Sequence, residues 1–350
     1  MPFKEMPVPF IRHTPVAGLL SGLLMATIAP IASAETPNRE ALANCALIKD
    51  DTRRLDCYDA LTPPKPKVER APASESEPVN TDQLIDNNLS AERAIFSFTN
   101  AFVTHRPNYI LPVSWVNDPN PDPTSPRLGQ AGYDYFLENE EAKYQISFKL
   151  PLLTGLFDDD TTLWFGYTQK SFWQVYNQNE SAPFRETNYE PEIFFRHKLD
   201  WQLGPGTLNG VTLGFNHQSN GQSEPRSRSW NRIMGSLAYS YNRWLFMVKP
   251  WYRIPEKEGN DDNADIEKYL GHASYHAVYK LSEDQTLSLK LMNNLRSEDN
   301  HTSVEFGYSF PLGDTVKGFV QYYNGYGESL IDYNHRIERV GLGIMINDWL

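Results

Sequence analysis

The chain has 350 residues, a net charge of -12 and a pI near 5.2, which argues against a nucleic-acid partner. It is 13% aromatic, with 19 Tyr and 18 Phe, yet 22% of its residues are charged. Such a mixture suits apolar residues alternating with polar ones in many strands better than it suits an ordinary soluble core.

Residues 1–34 read as a secretory signal. Lys4 and Arg12 precede an apolar run from Val16 to Ala29, and Ala32-Ser33-Ala34 is a small-residue cleavage pattern. The run is too short for a transmembrane helix, which needs ~20 apolar residues. No later segment is long enough either, so any crossing of a membrane must be by strands. Residues 35–61 form a small polar segment, expected in the periplasm, with the two cysteines Cys45 and Cys57. After export a disulfide between them is chemically allowed. A metal or redox site is the weaker alternative, since no His lies nearby. Residues 62–93 include "TPPKPKVERAPASESEPVN", whose Pro, Ser and Glu content reads as an extended linker.

The main domain is expected over 94–350. In "KYQISFKLP" Tyr144, Ile146, Phe148 and Leu150 share one face, with Lys143, Gln145, Ser147 and Lys149 on the other. "TLSLKLMNNL" and "SVEFGYSFPL" repeat this period of two, which means strand. Strands are expected near 95–115, 143–151, 161–175, 189–203, 207–219, 229–241, 244–254, 268–281, 286–295, 303–312, 316–326 and 336–349. Short turns alternate with longer polar loops, and the chain closes on the alternating segment "VGLGIMINDWL". The fold class is therefore all-β: a 12-stranded antiparallel transmembrane β-barrel with a polar interior. A soluble β-sandwich fits less well, because charges such as Lys149, Glu192, Arg196, Lys249, Lys290 and Glu305 occupy the second face. Long side chains would largely fill so narrow a barrel.

One stretch breaks the pattern: "GFNHQSNGQSEPRSRSWNR", Gly214 to Arg232. His217 and Ser219 continue the lipid-facing parity of Val211, Leu213 and Phe215, and Asn231 shares the phase of Ile233, Leu237 and Tyr239. His217 and Asn231 are symmetric about residue 224, so a simple hairpin places them opposite each other, with Cβ atoms ~5 Å apart. Polar groups facing lipid are unfavourable unless they pair or do a job. Ser, His and Asn together have the chemistry of a nucleophile, its base and the group that orients the base. The bland alternative is a set of polar residues at headgroup depth. The acidic runs "FDDD" (157–160) and "NDDNADIE" (260–267) lack EF-hand spacing and read as solvated charges.

"HQSNG" followed by "SRSWNR" resembles the signature of the outer membrane phospholipase A family, and "YTQKSFWQ" and "PFRETNYEP" resemble its other blocks. The resemblance implies a calcium-dependent phospholipase A1/A2 of the Gram-negative outer membrane, also acting on lysophospholipid, with membrane phospholipids as substrate. It implies Ser219 as nucleophile, His217 as base, Asn231 orienting the base and the Gly221 N–H as oxyanion donor. It implies Ca²⁺ held by the Ser227 hydroxyl, the Gln222 backbone carbonyl and the backbone carbonyl of Ser181 of the partner subunit. Gln169, polar on a lipid-facing parity, matches a dimer contact of the family, whose active form is a homodimer. Competing readings are a passive channel or a structural or adhesive barrel. The sequence leaves sn-1 versus sn-2 preference, headgroup preference and the role of residues 35–93 open.

Overall fold

The computed structural model describes residues 44–61, 79–99, 102–313 and 316–349. The signal segment and most of the linker lie outside them. The chain divides into two units, Met1–Ser74 and Glu75–Leu350. In the first, helix α1 (Asp51–Leu61) starts where Asp50 Oδ1 accepts the Arg53 N–H, and a disulfide joins Cys45 to Cys57. Both sulfurs are thereby used, which removes the metal reading of the pair.

The second unit opens with helix α2 (Thr81–Thr99). This corrects the expectation of a linker to 93 and a strand from 95. Asn80 Oδ1 accepts the Asp82 N–H, the cap that satisfies one of the free donors of a first helical turn, and Asp82 suits the positive end of the helix. Asp82 also accepts from Thr207 and Asn209, while Glu92 pairs with Lys149 and Arg196.

Apart from two-residue strands at Val103–Thr104, Thr124–Ser125 and Gly129–Gln130, twelve long strands then follow: β1 (Asn108–Val116), β2 (Glu140–Thr154), β3 (Thr161–Trp173), β4 (Phe184–Leu203), β5 (Gly206–Ser219), β6 (Ser229–Tyr241), β7 (Trp244–Ile254), β8 (Ala273–Lys280), β9 (Thr286–Asn293), β10 (Thr302–Leu312), β11 (Val316–Tyr326) and β12 (Arg336–Asn347). Each pairs antiparallel with its sequence neighbours, and β12 pairs with β1 to close a barrel. The expected strand at 268–281 is shorter, because a helical turn, α3 (Ile266–Leu270), occupies its first residues. The segments 117–139, 174–183, 220–228, 255–272, 294–301 and 327–335 lie at one end, and the short turns at the other.

The period of two decides the two faces. Ile146, Leu213, Ile233 and Leu237 are exposed on the outer wall. The inner face is filled by ion pairs. Glu141 accepts from Arg185 and Arg339, Arg339 and Lys143 both reach Glu328, and Arg185 reaches Asp332. A second layer joins Arg106 to Glu190 and Glu192, and Arg232 to Glu190. Buried charges persist only when paired and hydrogen-bonded, and each charge named here has an opposite partner, although Arg106 Nε and Arg232 Nε make no hydrogen bond among the described residues.

Candidate functional site

The β5–β6 hairpin brings His217 and Asn231 opposite each other, as their symmetry about residue 224 predicts. His217 Nδ1 lies 2.9 Å from Asn231 Oδ1. A carbonyl oxygen only accepts, so Nδ1 carries the proton and donates it. Nε2 is then the basic nitrogen. Ser219 is two residues on, on the same outward face, paired with Ser229 on one side and Tyr189 on the other. Among the described residues its hydroxyl makes no hydrogen bond, which leaves it available to a base and a substrate. Hydrogen bonds of this kind often tighten only when substrate binds.

The strand positions between these residues point inward and lock the hairpin from behind. Trp230 Nε1 donates to Gln218 Oε1 at 2.8 Å, and Arg232 donates to Asn216 and Gln218. Arg232 also lies 4.0 Å from the centroid of the Trp230 ring. The outward residues thus stand on a rigid support.

Gly221 follows at φ 64°, a conformation that favours glycine, and a Cβ there would come within 3.1 Å of the Tyr189 ring. Its N–H donates no hydrogen bond among the described residues. Asn220 fixes this loop: its backbone N–H donates to the Arg228 carbonyl, its Oδ1 accepts from the Arg228 and Gln222 N–H groups, and its Nδ2 donates to the Arg226 carbonyl. Buried Arg228 ties the far side, donating to the Pro225, Ser227 and Thr124 carbonyls. Glu186 accepts from Asn220 and Gln222 beneath the loop. Asn220, Arg228 and Glu186 were not singled out from the sequence, although Asn220 and Arg228 sit inside the motif that was.

The oxygen donors expected to hold a cation are also placed. Ser227 Oγ donates to Asp262 Oδ2 at 2.6 Å, leaving its lone pairs free. Neither the Gln222 carbonyl nor the Ser181 carbonyl accepts a hydrogen bond among the described residues. Exposed Ser181 and half-buried Ala182 form a turn, both at positive φ, between β3 and β4. Asp262 corrects the reading of 260–267 as solvated charge. It is buried against Arg127 and Ser227, while neighbouring Asp261 is buried against Arg253. The run 157–160 is exposed as expected. An all-oxygen set backed by a carboxylate suits a hard cation such as Ca²⁺. Among the described residues no group of three His, Cys, Asp or Glu forms a metal cluster of another kind.

Gln169 faces outward, with its amide satisfied within the chain. Oε1 accepts from the Tyr167 hydroxyl at 3.1 Å, and Nε2 donates to Ser171 Oγ at 3.2 Å. It is paired with Tyr189, the residue that is paired in turn with Ser219.

A family model described as phospholipase A1 matches residues 85–346. The phospholipase A1 of Klebsiella pneumoniae is 42% identical over 244 residues, covering 69% of this chain and 80% of that protein. A putative phospholipase A1 of Neisseria meningitidis is 35% identical, covering 94% of this chain and 95% of its own length. Among solved structures, the dimer of Salmonella typhi outer membrane phospholipase with bound calcium is 38% identical, with a TM-score of 0.66 over 72% of this chain and 94% of that one.

Proposed function

Because this chain belongs to the phospholipase A1 family, we propose that it hydrolyses phospholipid acyl esters in the outer membrane with Ser219, His217 and Asn231 as its catalytic set. The observation that carries the reading is the 2.9 Å contact from His217 Nδ1 to Asn231 Oδ1 on the lipid-facing wall, two residue pairs from Ser219. A nucleophile in that position meets one class of substrate, the lipids around the barrel. The ion-paired interior at Glu141, Arg185 and Arg339 counts against a passive channel.

His217 Nε2 takes the Ser219 proton as Oγ attacks the ester carbonyl, and Asn231 Oδ1 holds the imidazolium that forms. The Gly221 N–H points its dipole at the developing oxyanion, a contribution of ~3 kcal/mol for a donor of this kind. His217 returns the proton to the departing lysophospholipid oxygen. It then activates the water that releases the fatty acid from Ser219. Ser227 Oγ, the Gln222 carbonyl and the Ser181 carbonyl of the partner subunit would hold Ca²⁺, which when bound supplies positive charge beside the oxyanion. The active form is then a homodimer, with Gln169 at the contact. On this reading both acyl positions and lysophospholipid are included among its substrates, and the barrel lies in the Gram-negative outer membrane, with the N-terminal segment 35–61 in the periplasm.

The test is fatty-acid release from mixed micelles by the refolded protein, with calcium, with chelator, and with Ser219→Ala. Calcium-dependent release that disappears in Ser219→Ala is the expected result. Release that persists in the variant overturns the nucleophile, and release in chelator overturns the metal site. Single-channel conductance with no hydrolysis would favour the channel.

A further inference from the structure

Asn231 has a second partner. Its Nδ2 donates to Glu256 Oε1 at 3.2 Å. Glu256 lies just beyond β7, whose Ile254 is paired with Asn231, and it continues the outward parity of Tyr252 and Ile254. Pro255 has no N–H to extend the β6–β7 ladder, so the chain departs there and leaves the Glu256 side chain beside the amide. The carboxylate is half-buried. Burial, together with Asp261, raises its pKa, against the opposing effects of Arg253 and of the Asn231 hydrogen bond.

The geometry points to Glu256 as a positioning residue that sets the amide orientation of Asn231 and, through it, the tautomer of His217. This rests on the reading of Ser219 and His217 given above. An asparagine amide has a donating end and an accepting end of the same shape, and nothing in its own structure tells it which to present to an imidazole. An ionised carboxylate accepts only. Glu256 therefore takes the NH₂ end and turns Oδ1 toward His217. Oδ1 in turn accepts only, so the imidazole proton sits on Nδ1 and the lone pair on Nε2, facing the serine side. With the amide reversed, Nδ2 would donate to Nδ1, the proton would move to Nε2, and the base would be lost. A neutral Asn in place of the usual Asp leaves this ambiguity, and Glu256 removes it.

The test has two readouts. In the first, kcat and KM for phospholipid in micelles are measured for Glu256→Ala and Glu256→Gln, in the wild-type and in the Asn231→Ala background. Both single variants are expected to lower kcat about tenfold, the size of one charge-assisted hydrogen bond, with KM little changed. In the Asn231→Ala background Glu256→Ala is expected to have no further effect. An equal loss in both backgrounds, or no loss in either, overturns the relay. In the second, ¹⁵N-histidine spectra of the refolded protein identify the His217 tautomer, with His217→Asn supplying the assignment among the 8 histidines. The Nδ1–H form is expected in the wild type and a tautomer mixture in Glu256→Ala. An unchanged pattern overturns the relay by itself. This readout needs no hydrolysis, so activity that survives Ser219→Ala sinks the nucleophile assignment while the spectra still decide the role of Glu256.

Discussion

Gln169 and Ser219 lie two strands apart on one row of the outer wall, joined through Tyr189, which pairs with both. At ~4.8 Å per strand this separates them by about 10 Å. A partner barrel seated on Gln169 would therefore flank the nucleophile. Gln169→Ala is expected to weaken calcium-dependent dimerisation about tenfold, the scale of one interhelical-type polar contact in lipid. Sedimentation in micelles measures this, and an unchanged dimer fraction would remove Gln169 from the interface.

The catalytic set should grade by role. Ser219→Ala and His217→Asn each remove the reacting pair and should lower kcat by about 10⁴-fold or more. Asn231→Ala removes one hydrogen bond to a group that becomes charged, and about 10- to 100-fold is expected. A smaller loss in Ser219→Ala than in Asn231→Ala would contradict the assignment.

Gly221→Ala should act on the chemistry and spare the barrel. The added Cβ meets Tyr189 and disfavours the φ of 64°, so the N–H leaves its aim at the oxyanion. Loss of one such donor predicts a fall in kcat of about 100-fold. The heat-induced gel shift of the folded barrel should be unchanged, and a parallel loss of that shift would assign the effect to folding instead.

Asp262→Asn should raise the calcium concentration needed for half activity by about 10- to 100-fold, because a group behind a metal ligand tunes it on that scale. Ser227→Ala should do the same or more. Calcium titrations of fatty-acid release check both. Identical titrations in variants and wild type would move the ion elsewhere.

Glu141→Gln should destabilise the barrel by about 3 kcal/mol, since it removes a buried counter-charge shared by Arg185 and Arg339 and leaves them with Asp332 and Glu328 alone. Urea unfolding in micelles reads this directly. A midpoint equal to that of the wild type would show that the inner ion pairs relax without cost.

The barrel was legible because strand periodicity is a local property. Tyr144 to Leu150 alternate with Lys143 to Lys149 whatever the rest of the chain does, and twelve such segments leave few ways to hide both faces. The opposition of His217 and Asn231 was legible for the same reason, since a hairpin register needs only the chain between its ends. Helix α2 was missed because its start signal, Asn80 before Thr81 and Asp82, adjoins a linker whose composition dominated the reading.

By itself, then, the sequence determined which residues face lipid, that a serine, a histidine and an asparagine break that face together, and where they meet. The tertiary structure alone decided which distant groups stand behind them. Asp262 reaches Ser227 from the β7–β8 segment, Glu256 reaches Asn231 from the end of β7, and Glu186 comes under the loop from β4. Alternation reports the side of a strand on which a residue lies. The convergence of loops depends on barrel closure, strand order and the paths of the connecting segments, which no local pattern records.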